Sequence, residues 1–251
     1  FGICTLLATL PGLPMFGHGQ IEGFSEKYGM EYKKAYWGEE QDEGFAAYHA
    51  DVIFPLLRQR ASFSGVEQFA LYDFVTDGGD VDDNVFAYSN RGPGGERSLV
   101  LYNNAITPTK GALRRSVAAN VGEAAAPVLV YRTLAEALDL VGDEGTFYGL
   151  CDLRSGGWFL RSGSDLVDDG LKADLPGYGC QVFVQWRTLV DEDGTWAALA
   201  ANLAGGSVPD LDAAREAMVE GWSTEPSDGP GGGGGAGGAG EGEEEVDGED
   251  D

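Results

Sequence analysis

The spacing of apolar positions changes several times along the chain, and each change marks an element. Residues 1–10 are apolar almost throughout and read as the end of a helix. Pro11-Gly12-Leu13-Pro14 breaks it. Leu13 to Phe16 is a short apolar run of the kind a fully buried strand shows. Gly17-His18-Gly19-Gln20 follows at its C-terminal end. Residues 21–37 then form a loop dense in aromatics, with Phe24, Tyr28, Tyr32, Tyr36 and Trp37. From 39 to 60, Phe45, Tyr48, Val52 and Leu56 recur at three- and four-residue spacing beside Ile53 and Leu57. This predicts one long amphipathic helix, kinked or ended by Pro55.

Beyond residue 62 the period shortens. Phe69 to Phe74, Val85 to Tyr88 and Leu99 to Tyr102 predict three strands. Gly78-Gly79 and Gly92-Pro93-Gly94-Gly95 supply the turns of an antiparallel arrangement. A mixed stretch follows. Leu134, Ala137, Leu138 and Val141 suggest a short helix, while Phe147-Tyr148 and Val182 to Val184 suggest strands. Ser164 is a candidate cap for a helical turn at 164–167. Two further helices are predicted at 195–204 and 210–219, parted by Gly205-Gly206, with Asp210 as the N-cap of the second. No internal repeat is present.

Charge narrows the function. Forty-two acidic residues against 16 basic ones give a net charge of −26. Phosphate contacts need clustered Lys and Arg, so a nucleic-acid partner is not expected, and neither is an anionic membrane surface. Residues 224–251 hold ten acidic side chains, no basic ones and the run Gly231 to Gly235. They read as a disordered tail. The remainder, with 43% hydrophobic residues over the whole chain, suffices for a core. No stretch reaches the ~18 apolar residues of a membrane span. The apolar start lacks the basic residues of a signal peptide, and the chain reads as beginning inside a protein. Cys4, Cys151 and Cys180 are odd in number without a CxxC, and read as reduced core thiols. They lean the location toward the cytoplasm.

Familiar chemistries fit poorly. His18 and His49 lie far apart, with no HxH, HExxH or cysteine partner at ligand spacing, so no zinc site is expected. Asp80, Asp82 and Asn84 begin like a calcium loop, but Val85 stands where glycine is needed and Arg91 where glutamate is needed. Gly17-x-Gly19-x-x-x-Gly23 is not GxGxxG, the glycine tail matches such patterns trivially, there is no phosphate loop or GxSxG, and no cofactor is called for. The aromatic loop is more informative. Sugars present apolar C–H faces and polar rims, which rings and carboxylates match. Tyr28, Tyr32, Tyr36 and Trp37 beside Gln20, Glu22 and Glu26 suit a saccharide cleft, or else pack the loop onto its own domain.

The stretch Leu6-Leu7-Ala8-Thr9-Leu10-Pro11-Gly12-Leu13-Pro14-Met15-Phe16-Gly17-His18-Gly19-Gln20 resembles the α-amylase family of glycoside hydrolases. It is similar to the segment around the eighth strand of their (β/α)8 barrel. The helix at 39–60 then corresponds to the eighth barrel helix, and the strands from 69 onward to the antiparallel domain behind the barrel. The resemblance implies an α+β chain in three parts. Residues 1–61 are a remnant of the final βα units of a barrel. Residues 62–223 are a β-sandwich-like domain with additional helices, and 224–251 are the tail.

Function follows from the same resemblance. It implies a retaining enzyme that hydrolyses or transfers α-1,4-glucan units. The family's nucleophile, acid/base and substrate-fixing carboxylates precede the eighth strand. None of them is expected in this chain, which alone should be inactive. Gln20 stands at the position nearest to an acidic residue of the family. His18, Gln20 and Glu22 are placed at the rim of the glucan cleft, with Tyr28 and Trp37 in its wall. Residues 1–60 should carry apolar faces left without partners. A non-catalytic carbohydrate-binding β-domain is the alternative, and an interaction protein working through its acidic tail a third possibility.

Overall fold

Strand β4 (Arg97–Asn103) sets the architecture, because it is buried on both faces. Leu99 and Leu101 point into one core, Val100 and Tyr102 into another. The computed structural model of the chain describes residues 1–26 and 34–224. The chain enters through α1 (Gly2–Thr9), α2 (Glu43–Tyr48), a π-helical turn (His49–Ile53), α3 (Phe54–Arg58) and a 3-10 turn (Arg60–Ser62). Then come β1 (Ala70–Tyr72), β2 (Val75–Thr76), β3 (Val85–Arg91), β4, β5 (Thr109–Leu113), β6 (Ala119–Asn120) and β7 (Leu129–Val130). Next are α4 (Leu134–Leu138), β8 (Thr146–Asp152), β9 (Trp158–Ser162), α5 (Gly163–Asp168), β10 (Leu171–Leu175) and β11 (Cys180–Val190). The last elements are α6 (Thr195–Leu203), β12 (Ser207–Val208) and α7 (Leu211–Thr224).

Seven strands form one sheet in the order β1-β3-β4-β11-β8-β9-β12, every neighbour antiparallel. A three-stranded sheet, β10-β5-β2, faces it, and β6 and β7 make a separate ribbon. The protein is thus mixed α+β with a β-sandwich-like pair of sheets. One face of the large sheet packs on the small sheet, α4 and α5, around Leu99, Leu101, Leu113, Leu150, Leu171 and Phe183. On its other face, Tyr88, Val100, Tyr102 and Val182 meet Leu6 and Ala8 of α1, with Ile53, Leu56 and Phe63. The far end of that face holds α6 and α7, through Trp196, Leu199 and Leu211 against Phe147, Leu160 and Leu189. A bulge between Phe183 and Gln185 inserts one residue in β11 as it passes from β4 to β8. Phe183 and Trp186 therefore share the small-sheet face.

The first 60 residues depart most from expectation. Leu13 to Phe16 form no strand and run irregularly. Two prolines flank or enter the run, and no described strand lies alongside to pair with it. A barrel remnant is not shown. The expected helix at 39–60 begins only at Glu43, because the Asp42 Oδ1 accepts the Phe45 N–H at 2.9 Å and fixes the N-cap there. It then widens. Pro55 has no N–H to return to the carbonyl of Asp51, and the Phe54 N–H reaches back five residues to His49 instead. Nor are the apolar faces of this segment all without partners. Thr5, Leu6, Ala8 and Thr9 of α1 are buried on the sheet. Gly2 lies so close to Tyr102 that a Cβ would sit 2.1 Å from its ring. The Thr9 Oγ1 lies 2.5 Å from the Tyr88 hydroxyl. The Arg60 guanidinium donates to the carbonyls of Ala8 (3.0 Å), Leu10 (2.6 Å) and Gly12, at the open end of the helix.

Later elements match more closely. The expected strands at 85–88 and 99–102 lie within β3 and β4, whose hairpin turns through Gly92 to Gly95. The stretch 69–74 is split between β1 and β2, which serve different sheets. Helix α4 carries a capping box from Thr133 and Glu136, and ends at Asp139 in left-handed conformation. Ser162, not Ser164, caps α5, since it is the Ser162 Oγ that accepts the Asp165 N–H. Asp210 caps α7 as expected, accepting the Ala213 N–H at 3.0 Å. No helix among the described residues is long and apolar enough to cross a membrane. The tail expected at 224–251 lies outside the described residues from 225 onward.

Candidate functional site

The sequence places its rim candidates in the turns that follow α1, and the structure gives them separate tasks. His18 is exposed, its ring 5.5 Å from that of Phe24. Between them Gly19 holds a left-handed turn with φ of +71°, where a Cβ would meet Phe24 at 2.4 Å. Gln20 points inward. Its Oε1 accepts the Gly17 N–H at 3.0 Å and its Nε2 donates to the Cys4 Sγ at 3.5 Å. The same sulfur lies 3.8 Å from the His49 Nε2, while the His49 Nδ1 bonds to the Phe45 carbonyl at 3.0 Å. A carbonyl only accepts, so Nδ1 carries a proton. In the neutral ring, Nε2 is then the acceptor that faces the thiol. His49 is fully buried, with the rings of Phe45 and Phe1 at 4.7 and 5.1 Å. Cys4, Gln20 and His49 thus tie α1, the 17–20 turn and the π-helical turn together. Spacing in the sequence gives no sign of this, because the tie joins residues 45 apart.

A second arrangement holds the aromatic loop. The Glu39 carboxylate accepts the N–H groups of Ser25 (2.8 Å) and Glu26 (2.9 Å). The Glu26 carboxylate in turn accepts those of Tyr36 (2.7 Å) and Trp37 (3.0 Å). Each carboxylate clasps the strand of chain that carries the other. Four charge-assisted bonds close the neck of the loop. Glu26 itself is buried at 8% exposure, whereas Tyr36 and Trp37 stand 72% and 60% exposed. Glu26, expected as a ligand group beside the rings, is committed to the backbone instead. The effect is to present two successive aromatics to solvent from a rigid base. Glu22 is half-buried, and its carbonyl receives the Asp42 N–H at 2.9 Å, which anchors the loop to the start of α2. Tyr28 and Tyr32 lie outside the described residues.

The other candidates resolve simply. Among the described residues no group of three or more His, Cys, Asp or Glu could hold a metal ion. In the acidic hairpin the Asp82 Oδ1 accepts the Asn84 N–H and side-chain amide, both at 3.1 Å. The Thr109 hydroxyl and then the Asn84 N–H hold its carboxyl below the usual range. Cys151 and Cys180 are core thiols whose pKa burial pushes up. Comparison with known proteins adds no family to this picture. No protein-family model matches the sequence, and no curated protein matches it.

Proposed function

We propose that this chain is the C-terminal part of an α-amylase-like enzyme that hydrolyses or transfers α-1,4-glucan units with retention. Its catalytic carboxylates would come from polypeptide ahead of Phe1. One observation carries the larger-body part of this reading: the uncharged segment 1–16, which includes α1, leaves several large apolar side chains exposed. Residues 1–16 contain no charged side chain in a chain of net charge −26. Toward the sheet they are buried; away from it Ile3 is 61% exposed, Leu13 82% and Met15 73%. Exposed apolar side chains gathered in one uncharged segment mark a surface that packs against further polypeptide. The irregular course of 13–16 agrees, since a parallel barrel strand has no structure without its neighbours. The glucan part rests on the resemblance over residues 6–20, and on the exposed rings of Tyr36 and Trp37.

The test is to express the chain together with whatever its reading frame encodes before Phe1, and to follow maltoheptaose by NMR. The extended protein is expected to release product in the α-anomeric form first, and the present chain none. Absence of turnover by the extended protein, or turnover by the chain alone, overturns the proposal. A carbohydrate-binding β-domain is the second reading. It is favoured by the antiparallel two-sheet body with its own core. It predicts that residues 62–220 fold alone and bind glucan.

A further inference from the structure

A broad recess lies away from the α1 segment, at the open mouth between the two sheets. It has a volume of about 710 Å³, within the range of small-molecule sites. Its floor is the end of the main core, where Phe159, Leu166, Leu171 and Phe183 come to the surface or just beneath it. Sheet alternation puts Arg161 beside Phe159, and Gln181 beside Phe183, on the same face.

The polar groups fall into two sets. The first is spent within the protein. Lys110 pairs with Asp174 at 2.5 Å and Lys172 with Asp169 at 3.0 Å. Arg161 donates to the carbonyls of Gly205 and Leu160, both at 2.9 Å, with its guanidinium 5.5 Å from the centre of the Phe159 ring. It has no carboxylate partner, and burial pushes its pKa down. The second set is unspent. The Gln181 amide and the exposed carboxylates of Asp77 and Asp165 line the recess and form no side-chain hydrogen bond among the described residues, though Asp77 also helps raise the pKa of Lys110.

This composition selects a ligand class. An anion meets four carboxylates against three cations, two of them already neutralised, in a chain of net charge −26. An amine meets Arg161 at the floor. A hydroxyl can donate to Asp77 or Asp165 and accept from Gln181 in the same plane of contacts. Its carbon skeleton can cover the apolar floor. We propose that this cleft binds a neutral oligosaccharide, and that it is a saccharide site separate from the Tyr36–Trp37 platform. The saccharide class rests on the cleft alone; its identity as an α-1,4-glucan rests on the function proposed above.

The experiment is amide chemical-shift mapping and calorimetry on the full chain, with maltohexaose, cellohexaose, inorganic phosphate and spermidine as separate probes. Maltohexaose is expected to move the amides of 110–111, 159–161, 165–174, 181 and 204–206. Asp165→Ala and Gln181→Leu should each weaken that binding about tenfold, with the Gln181→Leu melt unchanged and that of Asp165→Ala lowered only slightly by loss of the one acidic residue in the first turn of α5. Trp37→Ala should leave the cleft shifts intact. Cellohexaose acting in place of maltohexaose would keep the cleft and remove the α-glucan reading. Maltohexaose shifts confined to 36–37 would keep that reading and overturn the cleft. Shifts caused by phosphate or spermidine alone, by no probe, or abolished by Trp37→Ala, would also overturn it.

Discussion

At the scale of single residues, buried polar groups are satisfied one by one, and substitutions should expose that. Glu26 holds two backbone N–H groups with one carboxylate. Glu26→Gln presents an amide N–H where an acceptor is needed. It should cost about 2 kcal/mol, read by urea denaturation, and should broaden the Trp37 indole resonance as the platform loosens. Two tyrosines set an alkaline limit. Burial raises the Tyr72 pKa from 10.0 to about 12, and raises that of Tyr88 further. The folded state therefore keeps these protons while the unfolded state gives them up. Stability is fully present below pH 10 and falls as pH rises from there through about 12, by about 1 kcal/mol per unit for Tyr72. Thermal melts across that window, with phenolate absorbance appearing only on unfolding, check the sign. Thiol alkylation offers a third readout. Cys4 is half-buried, whereas Cys151 and Cys180 carry pKa values raised by burial. Iodoacetamide at neutral pH should modify Cys4 first, as peptide mass mapping would show.

At the scale of elements, Arg60 acts as the cap that α1 lacks in its own sequence, since no basic residue occupies its last turn. Arg60→Met keeps the aliphatic stem and removes the donors. It should cost about 2 kcal/mol and raise amide exchange across residues 2–10, leaving β4 protected. How much of such detail can be read beforehand depends on how local its cause is. The β3–β4 hairpin was legible because alternation and a four-residue Gly/Pro turn sit next to one another. Asp210 was legible because a cap acts three residues away. The strand expected at Leu13 to Phe16 does not form. Four apolar residues carry no period, and pairing is decided by neighbours elsewhere. The Cys4–His49 contact and the recess between the sheets are assembled from distant segments, so no window along the chain contains them. Pro55 was visible as a disturbance, but its outcome, a π-helical turn that points His49 at Cys4, needed the packing of α1 to define it.

At the scale of the whole molecule, charge opposes compactness. Forty-two acidic residues repel one another, and the five ion pairs found among the described residues are surface pairs of small worth. Raising sodium chloride from about 10 mM to about 500 mM shortens the screening length several-fold. It should raise the melting temperature, whereas a fold held by its ion pairs would melt lower. The exposed apolar residues around α1 have a further consequence. Thr5, Leu6, Ala8 and Thr9 belong to the core of the large sheet, while Ile3, with Leu13 and Met15 just beyond the helix, is open to whatever polypeptide lies against it. A body that binds there only when α1 is seated adds its own binding free energy to the resistance of the sheet. By reciprocity, a sheet that seats α1 more firmly raises the affinity for that body by the same factor. Sheet and partner would then share a single melting transition, and weakening Tyr102 or Tyr88 would be felt as looser attachment on the far side of the helix.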